Sequence, residues 1–124
     1  MYAIGLDMTE IDRIKRSMKN ERFCRRVLGE REYRQLMDRG MPAESVAASF
    51  AAKEAFGKAL GTGIRGFSLR EAELLRRENG EPYLCLSGSA AELAQKRGLC
   101  FCVSITHTKT CAAAVVLAYG RKTR

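Results

Sequence analysis

The chain has 124 residues, 46% hydrophobic and 29% charged, with only two prolines. That is the composition of an ordinary globular domain, and at this length one core buries roughly two-thirds of the unfolded surface. A single domain over residues 1–124 is therefore expected, which excludes two large domains and any need for disulfides or a structural metal. Twenty-two lysines and arginines against 14 acids leave a formal charge of +8, pointing to an acidic partner, whether nucleic acid, an anionic membrane or an acidic protein. Ten of the basic residues fall between Arg13 and Arg39, where Glu21, Glu30, Glu32 and Asp38 are the only acids, a local surplus of six. No window approaches the ~20 apolar residues of a membrane span, and the opening run reaches Asp7 too soon for a secretion signal. The expected location is cytoplasmic.

Tyr2 to Met8 reads as a strand, with Ala3, Gly5 and Asp7 alternating onto one face. Thr9-Glu10-Ile11-Asp12 fits the hydroxyl-x-x-acid opening of a helix, which would put Asp7 at a strand-to-helix junction. Ile11, Ile14 and Met18 give that helix one apolar stripe, with Arg13, Lys15 and Arg16 at its margins. Phe23, Val27 and Leu28 continue helical spacing to Gly29, and Tyr33, Leu36 and Met37 predict another short helix that stops at Gly40. Pro42 suits the first turn of the next helix, Ala43 to about Leu60, which is apolar nearly all the way round and so reads as buried and central. Gly61-Thr62-Gly63 marks its end.

Two strand-like runs, Ser68 to Arg76 and Pro82 to Leu86, flank the hairpin signal Asn79-Gly80. Ser89-Ala90-Ala91-Glu92 predicts a capped helix to about Arg97, and Cys100 to Thr106 and Cys111 to Tyr119 read as core strands joined by a polar turn. The five cysteines lack framework spacing and read as reduced thiols, with Cys100 and Cys102 as small core residues rather than zinc ligands. Helices early and strands late, with the first strand returning to the sheet, imply an α+β domain.

Glu54 is the first residue that resists a purely structural reading, because helical phase places it among Ala47, Phe50 and Ala51 on a face that should be packed. A buried carboxylate needs a partner. Lys58, one turn on, could form an ordinary i,i+4 pair with it. Alternatively Glu54 holds a hard cation, with Asp7 as a second oxygen ligand and Lys58 meeting a phosphate, an arrangement that suits Mg²⁺ on a substrate phosphate. The Walker order is not met around Gly57-Lys58, and His107, the single histidine, excludes His-pair metal sites.

Four segments stand together in order: Gly5-Leu6-Asp7-Met8-Thr9-Glu10, Phe50-Ala51-Ala52-Lys53-Glu54-Ala55-Phe56-Gly57-Lys58-Ala59-Leu60-Gly61-Thr62-Gly63, Asn79-Gly80-Glu81-Pro82-Tyr83 and Val103-Ser104-Ile105-Thr106-His107-Thr108. In these the chain resembles the holo-[acyl-carrier-protein] synthases, the short bacterial class of the 4′-phosphopantetheinyl transferase superfamily, from residue 2 to about residue 118. The resemblance implies an antiparallel sheet packed against a long central helix, and a homotrimer with coenzyme A at subunit boundaries. It also implies Mg²⁺-dependent transfer of the 4′-phosphopantetheine arm of coenzyme A to a serine of apo acyl carrier protein, releasing adenosine 3′,5′-bisphosphate. Asp7 and Glu54 match the metal-binding acids and Lys58 the lysine at the pyrophosphate. Gly61, Thr62 and Gly63 match the loop beside the nucleotide, and His107 and Thr108 the turn near the adenosine 3′-phosphate. Arg13 and Arg22 match carrier-docking positions, with Lys19, Arg25 and Arg26 as further basic groups. One departure stands out: many relatives have arginine just before the F-x-A-K-E run, where this chain has Ser49. The competing readings are a basic nucleic-acid-binding module, which has no tryptophan and few aromatic residues near its basic stretch, and a carrier-protein-binding subunit without catalysis, which retention of Asp7, Glu54 and Lys58 opposes.

Overall fold

In the computed structural model, which describes residues 2–121, the first strand, β1 (Tyr2–Glu10), pairs antiparallel with the last, β5 (Cys111–Gly120). β5 pairs in turn with β4 (Leu99–His107), giving a three-stranded sheet in the order β1-β5-β4. Between the strands come α1 (Ile11–Met18), α2 (Glu21–Val27), α3 (Glu30–Asp38) and α4 (Ala43–Leu60), a separate hairpin of β2 (Ala72–Arg76) and β3 (Pro82–Leu86), and α5 (Gly88–Lys96). The expected α+β class is what these elements form.

α4 lies along β1 and β5 through a face of alanines, Ala47, Ala51, Ala55 and Ala59, each at most 4% exposed. Across from them are Ala112, Ala114, Val116 and Ala118 of β5. Small side chains on both surfaces let the backbones approach closely, and the limit is reached at Gly5, where an added Cβ would lie 1.9 Å from the Ala55 carbonyl oxygen. Phe56 fills the far end of the core, with its ring edge-on to Phe67 and Phe101 at 5.1 and 4.8 Å. Ile11, Ile14, Val27, Leu28 and Leu36 form a second core that ties α1, α2 and α3 to Val46 of α4.

A charged side chain sits inside this apolar frame. Lys53 is fully buried, and its ammonium donates to Glu32 Oε1 at 2.7 Å, the Ala72 carbonyl at 2.7 Å and the Leu69 carbonyl at 3.0 Å, using all three donors. Burial pushes the Lys53 pKa down, while the charges of Glu32 and then Glu73 oppose that shift. Glu32 also accepts from the backbone N–H of Gly29 and of Leu74, both at 3.0 Å, so α3, α4 and β2 are joined at one point.

Several local expectations are corrected. Thr9 does not cap α1, because β1 continues through Thr9 and Glu10, paired with Ala112 and Cys111, and the buried Thr9 hydroxyl donates instead to Asp7 Oδ2 at 3.1 Å. Ser68 to Glu71 is not strand: Leu69–Glu71 forms a 3-10 turn and β2 begins at Ala72. Ser89 lies inside the first turn of α5 rather than capping it, since the helix starts at Gly88 and Glu71 Oε2 accepts the Ser89 N–H at 3.0 Å. Cys100 and Cys102 are not core residues; they stand opposite Tyr119 and Leu117, with Cys102 exposed and Cys100 half-buried. On that side of the sheet Tyr2, Ile4, Leu6 and Met8 are 64–77% exposed, an uncovered apolar row.

Lys53→Met leaves the buried Glu32 without its counter-ion, held only by two backbone N–H groups, and the expected loss is about 3–5 kcal/mol in denaturant unfolding. A variant within ~1 kcal/mol of the parent would show that the network contributes little.

Candidate active site

The β1–α4 contact presents Asp7, two residues beyond Gly5 on the same face, to the helix edge that carries Glu54 and Lys58. Lys58 Nζ lies 3.4 Å from Asp7 Oδ1 and donates to the Leu6 carbonyl at 2.9 Å. The alternative of a simple i,i+4 pair is not what forms: among the described residues Lys58 pairs with Asp7 and not with Glu54. Nor is Glu54 packed away, as its helical phase suggested; it is half-buried at the open edge between β1 and α1. Burial pushes its pKa up, the Asp7 carboxylate pushes in the same direction, and Lys58 and Arg13 act against them.

Two carboxylates that repel each other across an open edge, with one lysine between strand and helix, make a site short of positive charge. Their all-oxygen donor set and partial exposure fit a hard divalent cation of the Mg²⁺ type, which takes one or two carboxylates and completes its octahedron from solvent and substrate. Arg13 borders the site, with its guanidinium 5.9 Å from the centroid of the Phe50 ring.

The loop after Lys58 folds back on the helix: the Thr62 and Gly63 N–H groups both donate to the Gly57 carbonyl, at 3.1 and 3.0 Å. Gly57 is required for this, because a Cβ there would lie 2.3 Å from the Gly63 carbonyl oxygen. Arg97 donates to the Leu60 carbonyl and fastens the helix end to the segment after α5. Gly61, Thr62 and Gly63 thus stand one turn beyond Lys58, at the same end of α4.

His107 and Thr108 are not part of this cluster. His107 is opposite Ala112, which is opposite Thr9, so a full strand separates it from β1. It lines a 230 Å³ cavity with Arg39, Glu44, Ser45 and Arg76, beside the N-terminal end of α4, whereas Lys58 is near the C-terminal end. The Thr108 hydroxyl accepts from the N–H groups of Thr110 and Cys111, at 3.2 and 3.1 Å, and shapes the β4–β5 turn. Ser49 is 2% exposed and offers no group to a ligand. Arg22, Arg25 and Arg26 line a 560 Å³ groove with Met18, Tyr33 and Met37, and Lys19 is exposed nearby in sequence. Sequence reading missed Lys53 as an anchor and the meeting of Arg39 with Arg76; a lysine amid alanines beside Glu54 was the only available sign of the first.

The raised Glu54 pKa has a sign that can be tested. A carboxyl whose folded pKa lies above its unfolded value favours folding only in acid, and that contribution is lost as pH rises through the folded value. Glu54→Gln is therefore expected to melt at or above the parent temperature at pH 7, and a clear fall would mean that Glu54 holds the fold.

Comparison with known proteins identifies the family. The family model described as the 4′-phosphopantetheinyl transferase superfamily matches residues 3–116. The holo-[acyl-carrier-protein] synthase of Treponema denticola is 39% identical over 122 residues, covering 97% of this chain and 99% of the relative. That of Alkaliphilus metalliredigens is 40% identical over 118 residues, covering 94% and 97%. The crystal structure of the Neisseria meningitidis synthase superposes with a TM-score of 0.88 at 31% identity, covering 94% of this chain and 97% of that one. The Helicobacter pylori synthase in complex with coenzyme A superposes with a TM-score of 0.82 at 30% identity, covering 94% and 99%. With a family match over nearly its whole length and an acidic pair at an open strand–helix edge, the chain belongs to the 4′-phosphopantetheinyl transferase superfamily, among the holo-[acyl-carrier-protein] synthases.

Proposed function

We propose that this protein transfers the 4′-phosphopantetheine arm of coenzyme A to a serine of apo acyl carrier protein, with Mg²⁺ as cofactor. The observation that carries the reading is the convergence of Asp7, Glu54 and Lys58 at one open edge. Asp7 and Glu54 would hold the ion, which supplies neutralisation of the negative charge on the reacting diphosphate. Lys58, whose side chain is 53% exposed, can turn its ammonium from Asp7 to the phosphate oxygens of the donor. Glu54, directly or through a bound water, would take the serine proton. The serine Oγ–phosphorus bond forms as the bond from that phosphorus to the bridging oxygen breaks. The electron pair leaves with the 5′-phosphate of adenosine 3′,5′-bisphosphate, so no covalent enzyme intermediate is needed.

Gly61, Thr62 and Gly63 bind beside the nucleotide, and His107 and Thr108 bind its far end. Because these groups stand at opposite ends of α4, a single coenzyme meets both sets only across two copies of the chain. The uncovered row Tyr2, Ile4, Leu6 and Met8 provides an apolar face for such assembly, and we read it as the contact of a homotrimer. Arg13 and Arg22, with Lys19, Arg25 and Arg26, face outward from α1 and α2 and suit an acidic carrier protein. A cytoplasmic location follows from that partner, and no helix among the described residues is long and apolar enough to cross a membrane.

Incubation with coenzyme A, Mg²⁺ and an apo acyl carrier protein, followed by intact-mass spectrometry, is expected to show a phosphopantetheine-sized gain that EDTA abolishes. Asp7→Ala and Glu54→Ala should each slow transfer by about 10²-fold or more while the chain remains folded. No gain with several carrier proteins and a folded enzyme would refute the reading. By light scattering the parent should have the mass of three chains and Ile4→Glu should be smaller; an unchanged mass would place the contact elsewhere.

A further inference from the structure

Ala3, Gly5, Asp7 and Thr9 share the side of β1 that faces α4, and Thr9 is 3% exposed there. A small apolar residue would pack in that place, whereas a hydroxyl sealed from water needs a partner. The Thr9-x-x-Asp12 pattern predicts a cap for α1, but the Ile11 N–H goes to the Thr110 carbonyl at 2.9 Å and α1 has no side-chain cap. The Thr9 hydroxyl donates instead to Asp7 Oδ2 at 3.1 Å, across the two-residue spacing that puts both side chains on one strand face. The other carboxylate oxygen, Oδ1, is 3.4 Å from Lys58 Nζ, whose shorter bond, 2.9 Å, is to the Leu6 carbonyl. The two oxygens therefore differ. Oδ2 is held by an uncharged, buried donor on a β-branched side chain with little rotational freedom. Oδ1 faces the ammonium of a half-exposed lysine that is free to turn away.

We infer that Thr9 is a positioning residue for the metal-binding carboxylate: its hydroxyl fixes Asp7 by Oδ2 and so leaves Oδ1 as the oxygen offered to the cation. The inference rests on the proposed role of Asp7 and Glu54 as ligands of that ion. A ligating carboxylate that is free to rotate gives up binding energy to become ordered, and a hydrogen bond to its second oxygen removes that cost before the ion arrives. Lys58 cannot serve in the same way, because its ammonium stands at the oxygen that the ion needs and the proposed transfer requires it at the phosphate. Being sealed from solvent, Thr9 acts through Asp7 and not on the substrate.

The test is calorimetric titration of Mn²⁺, with coenzyme A saturating, into the parent and into Thr9→Val, Thr9→Ser and Asp7→Asn. Valine keeps the branched shape and removes the donor; serine keeps the donor. Thr9→Val is expected to weaken Mn²⁺ binding by about ten- to hundredfold, and Thr9→Ser to recover most of that loss. In transfer assays the Mg²⁺ concentration for half-maximal rate rises in Thr9→Val by a similar factor. A hydroxyl with a structural role alone would shift the melting of the metal-free protein and leave Mn²⁺ affinity as it was. Affinity in Thr9→Val equal to or above the parent's, or serine no better than valine, overturns the positioning role. Should Thr9→Val fail to fold, Thr9→Ala set against Thr9→Ser carries the same comparison. Binding lost in Asp7→Asn but untouched in Thr9→Val removes the positioning role alone, and binding untouched in Asp7→Asn removes the ion site together with it. Thr9-dependent binding in a chain that shows no transfer would leave the positioning role standing and the proposed activity refuted.

Discussion

The distance between β1 and α4 governs the rest of the structure. Gly5 has no side chain to hold the strand off, and the helix meets it with the Ala55 carbonyl and a row of alanines, so a strand and a helix approach about as closely as backbones can. That approach sets the chemistry as well as the packing. Asp7 follows Gly5 by two positions on the same strand face, and Glu54 precedes Ala55 by one on the helix, so both carboxylates inherit their positions from the contact. A larger residue at either surface would separate the acids before it touched them.

Helix rotation is the remaining freedom, and the buried Lys53 removes it. Lys53 and Glu54 are neighbours in sequence but point about 100° apart; the first turns inward to Glu32 and two carbonyls, the second outward to the open edge. One charged residue thus anchors the helix and the next is free for chemistry. Breaking the anchor leaves a buried carboxylate, whereas changing Glu54 relieves one that burial and Asp7 already disfavour.

Much of this was legible in the sequence where local pattern and tertiary structure agree. The alternation of Ala3, Gly5 and Asp7, the alanine-rich helix ending at Gly61 and the two C-terminal strands all form as their spacing predicts. Thr9 misleads because strand pairing with Ala112 outcompetes a local capping pattern, and Ser89 misleads because Glu71, distant in sequence, supplies the cap. The Asp7–Lys58 contact spans 51 residues and the Lys53–Glu32 pair 21, separations at which helical phase is silent. The resemblance named Asp7, Glu54 and Lys58, and the fold brings them together. His107 lies elsewhere because a sheet strand intervenes, which no spacing along the chain reveals.

Charge organises what remains. Asp7 of β1 and Glu54 of α4 repel each other, and a bound cation would relieve that repulsion. Manganese binding followed by electron paramagnetic resonance, with coenzyme A present, tests most directly whether the β1–α4 contact builds a single carboxylate site. One Mn²⁺ per chain, lost in Asp7→Asn and in Glu54→Gln while both variants remain folded, is the expected result. Ion binding that survives in both variants would contradict it.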